Sequence, residues 1–240
     1  IQKNEIIQSL KEELALQEIK SNAFSQEESN LANLVEDFNN DYKTRKGVLE
    51  KSSNIKGVYV TKLIANSSYS GAIGVLDKIK EILKETELNA VVIDVKETDG
   101  FLISDRLKSL IEELHKDNIW VIARMVCFRD NSLIETNPSF YIKKEDETFW
   151  TDHKGYYWLD PSSTQVQKHL IDLSYQVIDA GFDEIQYDYI RFPVDDEEIV
   201  YPFFEEEKNK SDIIREFSLR LRNNLRHYKS EIVLSVDLFG

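Results

Sequence analysis

From residue 55 onward, short β-branched and apolar runs alternate with segments whose apolar positions recur every three or four residues. No other feature of the chain constrains its fold as strongly. Gly57 to Thr61 (GVYVT), Ala90 to Lys96 (AVVIDVK), Ile119 to Phe128 (IWVIARMVCF), Phe182 to Phe192 (FDEIQYDYIRF) and Glu231 to Leu238 (EIVLSVDL) read as strands. Between them, Ile73 to Lys84, Ser104 to Lys116, Thr164 to Ala180 and Ser211 to Tyr228 read as helices with one apolar face. Strand runs with so little polar alternation suit a sheet covered on both faces, which implies parallel strands in βαβ units.

Two architectures fit that order, an open doubly wound sheet and a (β/α)8 barrel. A dinucleotide-binding sheet would carry Gly-x-Gly-x-x-Gly directly after its first strand. Here that turn runs Lys62-Leu63-Ile64-Ala65-Asn66-Ser67-Ser68, and neither a glycine fingerprint nor a Gly-Lys-Ser/Thr loop occurs in the chain. The barrel is therefore favoured. A full barrel needs eight strands and about 250 residues. The chain ends at Gly240 after its fifth strand. The expected fold is α/β: a TIM-type (β/α)8 barrel over 55–240, incomplete with five strands, behind an N-terminal helical arm over 1–54.

The arm is rich in Glu, Gln, Lys, Asn and Ser, and Ile6, Ile7, Leu10, Leu14, Leu31, Leu34, Val35 and Phe38 form an amphipathic stripe. It reads as an arm packed on the main domain; a short coiled coil that self-associates is the other reading. The first residue is Ile1 and the one methionine is Met125, so we expect a processed or trimmed product. No run of about 18 uncharged apolar residues occurs, which argues against a membrane span in this chain. A formal net charge of -14 repels a phosphate backbone and argues against nucleic acid as a partner. The lone Cys127 has no partner for a disulfide or a thiolate zinc site, and the compartment stays open, with a secreted or cell-surface location kept in view.

In a barrel the chemistry sits at the carboxyl ends of the strands. Side chains alternate with a period of two, so Val92, Asp94 and Lys96 share one face of the second strand. Arg124 lies on the face of Ile122 and Val126, Glu184, Gln186 and Asp188 share a face, and so do Val233, Ser235 and Asp237. Any one of these charges is explained by a buried pairing; the set, gathered near one pole, suggests mutual neutralisation around a polar ligand.

The stretch from Arg129 to Ser163 is longer than an ordinary connection and dense in aromatics, among them Trp150, Tyr157 and Trp158. Such rings stack on the apolar faces of sugars. They equally form the satellite core of a small hairpin turning at Asp152-His153-Lys154-Gly155, and both readings can hold with Trp150 or Trp158 as an exposed platform. His115, His169 and His227 fall on helices, expected to be exposed, and no His-Glu-x-x-His pattern occurs, so neither a metal nor a cofactor is expected. The acids Asp195 to Glu198 and Glu205 to Glu207 read as a solvated rim, with a hard-cation site as the minor reading.

The segment Gly181 to Pro193 (GFDEIQYDYIRFP) resembles the signature of a glycoside hydrolase-type domain family long catalogued as a domain of unknown function. GVYVT at 57–61, VVIDVKETDG at 91–100, ARMVCFRD at 123–130, WLDPS at 158–162 and SVDLFG at 235–240 support the likeness. The family is similar to α-amylase-like barrels, which implies a TIM barrel and a polysaccharide or oligosaccharide substrate. By that resemblance Asp188 stands where such barrels place the nucleophile. Asp237 stands where they place the general acid, often a Glu, and the missing strands are another source for it. Lys96 and Arg124 would hold substrate hydroxyls or the charge of Asp188, with Asp94, Gln186, Trp150, Tyr157 and Trp158 as further substrate contacts. A non-catalytic carbohydrate-binding barrel of the cell envelope is the alternative. A metal-assisted hydrolase using Asp94, Asp188 and Asp237 is a third.

Overall fold

The computed structural model describes residues 42–194, 199–205 and 207–238, together with 22, 25, 26, 29, 32, 36 and 40. The chain divides into two compact units, Ile1–Gly47 and Val48–Gly240. The apolar stripe from Ile6 to Phe38, and with it the question of self-association, lies outside the described residues, as do the acids at 195–198 and Glu206. Residues 42–52 form a helix, α1. No described helix is long and apolar enough to cross a membrane.

From there the order is β1 (Gly57–Val60), α2 (Lys62–Asn66), α3 (Ser70–Glu85), β2 (Ala90–Glu97), β3 (Gly100–Phe101), α4 (Asp105–Lys116), β4 (Trp120–Val126), α5 (Thr164–Asp179), β5 (Glu184–Asp188), α6 (Lys210–Tyr228) and β6 (Val233–Val236). The helices begin where side chains satisfy their first amides. Ser104 Oγ accepts from Leu107 N at 3.2 Å, Ser163 Oγ from Val166 N at 3.4 Å and Asn209 Oδ1 from Asp212 N at 2.8 Å. The first βα turn is not the plain loop its sequence suggests: Thr61 Oγ1 accepts from Ile64 N at 3.4 Å and starts the short helix α2.

The main strands are parallel and run β1-β2-β4-β5-β6, with the two-residue β3 antiparallel to the end of β2. Strand order follows chain order without reversal. Right-handed crossovers then place every helix on one side of the sheet, as in a barrel and unlike a doubly wound sheet with its switch point. Among the described residues the sheet does not close; β1 and β6 are its edges. The fold is thus an incomplete barrel of TIM type.

The core lies between sheet and helices. Val91, Ile93 and Val95 of β2, Val121, Ala123 and Met125 of β4, and Ile185 and Tyr187 of β5 pack there with Leu107, Leu110, Leu170, Val177 and Phe217. Each large aliphatic side chain removed from water in this layer contributes about 1.5–3 kcal/mol. Tyr187 meets Ser174 of α5, hydroxyl to hydroxyl, at 2.9 Å, which confirms that the odd-numbered positions of β5 face the helices. The opposite face, with Glu184, Gln186 and Asp188, is the concave surface. β5 is shorter than its apolar run because Tyr189 adopts a left-handed backbone (φ 52), which ends the strand at Asp188.

The stretch after β4 folds into antiparallel bridges, Arg129 with Trp158, Tyr141 with Leu159, Lys143 with Phe149 and Thr151 with Tyr157. It turns at Asp152–Gly155, where Gly155 N donates to Asp152 O at 2.8 Å and Gly155 itself needs φ 78. Tyr141, Phe149 and Tyr157 meet edge to face at 6.0–6.2 Å between centroids, and they join the main core rather than a satellite of it. The loop after β5 is fastened to this subdomain. Val200 and Lys143 exchange two backbone hydrogen bonds of 2.8 and 3.0 Å, and the buried carboxylate of Asp160 accepts from Phe203 N at 2.9 Å and Ser162 N at 2.8 Å.

Candidate functional site

The carboxyl ends of β1, β2, β4 and β5 bring four polar side chains together. Asp94 of β2 is fully buried and accepts one hydrogen bond from the hydroxyl of Tyr59 on β1 and another from Arg124 Nη1 of β4 at 2.8 Å. The second arm of that guanidinium, Nη2, donates to Asp188 Oδ2 of β5. Arg124 therefore stands between two carboxylates supplied by the strands on either side of it, as the register Asp94↔Arg124↔Gln186 requires. Asp188 keeps 10% of its side chain open to the concave face, and its other oxygen accepts from Tyr189 N at 2.7 Å. One step along, Asp237 follows β6, donates its backbone N–H to Tyr187 O at 2.9 Å, and receives Gln186 Nε2 on Oδ1 at 2.7 Å.

Burial works against the charge of Arg124, but its hydrogen bonds to Asp94 and Asp188 outweigh that and raise its pKa beyond the usual arginine range. The Tyr59 hydroxyl is pushed up by burial first, then by the hydrogen bond to Asp94 and its charge, so Tyr59 stays protonated and donates. Glu97, at the end of β2, is also raised, mainly by burial and then by the charge of Asp94. Deeper in the concave face Glu184 accepts from Trp120 Nε1 at 3.1 Å and Ser235 Oγ at 2.5 Å, a polar layer below the tips.

Lys96 is not part of this group. The β2–β4 register shifts between Asp94 and Lys96, so that Lys96 pairs with Met125 and turns toward the helix layer. There its ammonium, 1% exposed, sits 2.6 Å from the fully buried carboxylate of Asp130 and donates to Val126 O at 2.8 Å. His169 of α5 is half-buried beside them rather than exposed, its pKa lowered by burial and then by the Lys96 charge. Trp150 and Trp158 are not exposed platforms either: they are 5% and 2% exposed. Trp158 Nε1 donates to Asp152 Oδ2 at 3.2 Å, and Tyr157 is half-buried in the edge-to-face cluster. The apolar bulk of the two tryptophans is taken up in the main core.

Tyr59, Glu97, Arg129 and Asp130 escape the sequence analysis. Tyr59 carries a legible signal, since it is the polar-tipped residue of a strand whose neighbours are valines; the others depend on the bulge and on the loop. Among the described residues no three His, Cys, Asp or Glu side chains are grouped to hold a metal ion; between Asp94 and Asp188 stands the Arg124 guanidinium. Cys127 is fully buried and its thiol is pushed up to about 12 by burial, which suits an inert core residue.

Residues 57–240 match the family described as "Putative glycosyl hydrolase domain". A hypothetical protein from Ruminiclostridium thermocellum ATCC 27405 is 30% identical and superposes with a TM-score of 0.64, covering 76% of this chain and 98% of that one. The α-galactosidase from Lactobacillus brevis is 12% identical with a TM-score of 0.52, over 76% of this chain and 27% of that one. A noncanonic maltogenic α-amylase from Thermotoga neapolitana is 18% identical with a TM-score of 0.54, over 77% and 46%. The likeness to these two glycosidases, of whose length this chain spans less than half, is one of fold. No curated protein matches the chain.

Proposed function

Because the chain belongs to this glycosyl hydrolase domain family, we propose that it hydrolyses glycosidic bonds of a polysaccharide or oligosaccharide, with Asp188 as nucleophile and Asp237 as acid and base. The observation that carries the reading is the Arg124 guanidinium held between Asp94 and Asp188 at the strand ends. Asp188 attacks the anomeric carbon while Asp237 gives its proton to the departing oxygen. Water then attacks the glycosyl ester, losing a proton to Asp237 and releasing Asp188. Arg124 aims Asp188 and offsets its charge, Asp94 and Tyr59 hold Arg124 in place, and Gln186 holds Asp237. The test is release of reducing ends from a panel of glycans. Asp188→Asn is expected to lower turnover more than about 100-fold; a cleaved glycan whose turnover is unchanged in that variant overturns the assignment.

One observation favours a second reading, a carbohydrate-binding barrel without catalysis. Asp237 is one methylene shorter than the Glu often found at this place, and its Oδ1 is already occupied by Gln186. Glycans bound by the wild-type protein but never cut would decide for that reading.

A further inference from the structure

Past Asp188, the carboxyl ends of β4 and β5 border a cleft of about 420 Å³ walled by Arg129, Trp150, Lys154, Trp158, Tyr189 and Arg191. Among the described residues its lining carries Arg129, Lys154 and Arg191 against one carboxylate, Asp152, in a molecule whose formal net charge is -14. The carboxylate in its wall, Asp152, is consumed by the fold, since it accepts from Lys154 N at 2.9 Å, Tyr156 N at 3.1 Å and Trp158 Nε1 at 3.2 Å. Arg129 has a different situation from Arg124. Its guanidinium lies 4.0 Å from the Tyr189 ring centroid and 4.6 Å from that of Tyr156, and Nη1 donates to the Tyr189 hydroxyl at 2.7 Å. No carboxylate among the described residues lies at ion-pair distance from it, and its buried Nε has no acceptor. Stacking fixes the plane of the guanidinium and leaves donors for an incoming group, the arrangement that reads planar carboxylates and phosphates two bonds at a time.

We infer that this cleft is a subsite for an oxyanion carried on a sugar, the carboxylate of a uronic acid or a phosphate ester, with Arg129 as its principal ligand and Lys154 at its rim. A neutral sugar would call for carboxylate acceptors facing its hydroxyls, and among the described residues the wall offers none that is not already engaged. The half-buried ring of Tyr189 supplies the apolar contact beside the charge. Tyr189 is the residue after Asp188 and donates its amide to that carboxylate, so the anionic group would sit next to the reacting sugar. That placing rests on the glycosidase reading; the binding of the anion does not.

Calorimetric titration of the full chain carrying Asp188→Asn tests it without cleavage. The probes are oligomers of galacturonic, glucuronic and mannuronic acid, the same oligomers with their carboxyls reduced, and the matching sugar phosphates. At least one acidic probe is expected to bind about tenfold or more tighter than its neutral counterpart. Adding Arg129→Gln should reduce that preference about ten- to a hundredfold, and Lys154→Gln, at an exposed position that leaves the fold untouched, should reduce it less. Whether uronates or phosphates lead identifies the source of the oxyanion. No preference for any acidic probe, or a preference that survives both substitutions, overturns the inference. Anion-selective binding with no cleavage by the wild-type chain retires the hydrolase reading and keeps this one. Cleavage of neutral glycans without anion preference does the reverse.

Discussion

Gln186 on β5 reaches across to Asp237 beside β6 with a 2.7 Å hydrogen bond, while Asp188, two residues on, shares the same face of the sheet. The register pairs Gln186 with Ser235 and Tyr187 with Val236, and just past the end of β6 the amide of Asp237 donates to Tyr187 O at 2.9 Å. Neighbouring parallel strands lie about 4.8 Å apart. If Asp188 and Asp237 work as the proposed nucleophile and acid, double displacement calls for their carboxyls about 5–5.5 Å apart. Proton NMR of the first-formed sugar is expected to show the anomeric configuration of the substrate. A product of inverted configuration would remove Asp188 and Asp237 as the working pair.

Arg124 neutralises a carboxylate that has no access to water. Replacing it by Met leaves Asp94 buried and charged beside Tyr59, at a cost of about 3–5 kcal/mol in unfolding free energy. Urea denaturation of Arg124→Met should show that loss, and Asp94→Asn combined with Arg124→Met should recover part of it. A variant as stable as the parent would mean that the guanidinium does not hold the strand ends together.

Lys96 and Asp130 form the other buried pair, on the helix side of the sheet. Lys96→Met is expected to cost about 3–5 kcal/mol and Lys96→Met with Asp130→Leu distinctly less. Glycan affinity per folded molecule should not change, because the ammonium faces α5 and not the concave surface. A raised KM or Kd in stably folded Lys96→Met protein would return this lysine to the substrate.

His169 beside that pair makes the fold sensitive to mild acid. Its pKa is lowered in the folded protein by burial and by the Lys96 ammonium, against smaller opposing effects of Asp130 and Asp172. A lowered folded pKa means that the unfolded chain binds the proton more readily. The stabilisation is therefore present above the ordinary value of 6.5 and lost as pH falls through the folded value. Melting temperature should decline below pH 6.5 in the wild type and decline less in His169→Gln; superimposable profiles would count against the assignment.

The strands and helices were legible because their signals are local: apolar runs of Val and Ile, stripes at helical spacing, and Ser or Asn at helix starts. The concave placement of Asp94, Arg124 and Asp188 follows from a period of two, as long as the ladder is regular. Lys96 shows the limit of that logic. One register shift after Asp94 reverses its side, and nothing in AVVIDVKE marks the shift. Trp150 and Trp158 show another limit, since burial of a loop aromatic is decided by what the loop folds against, a tertiary fact absent from any window of sequence. Tyr59, by contrast, stood in plain view in a strand and needed only its partner on β2 to acquire meaning.

The latch formed by Asp160 with Phe203, and by Lys143 with Val200, joins two segments that follow different strands. A rim assembled from independent loops would breathe along many coordinates, each admitting a different guest. Fastened in this way by backbone and side chain, the two segments cannot part without breaking the hydrogen bonds of Lys143 with Val200 and of Asp160 with Phe203, so a change in one is felt by the other.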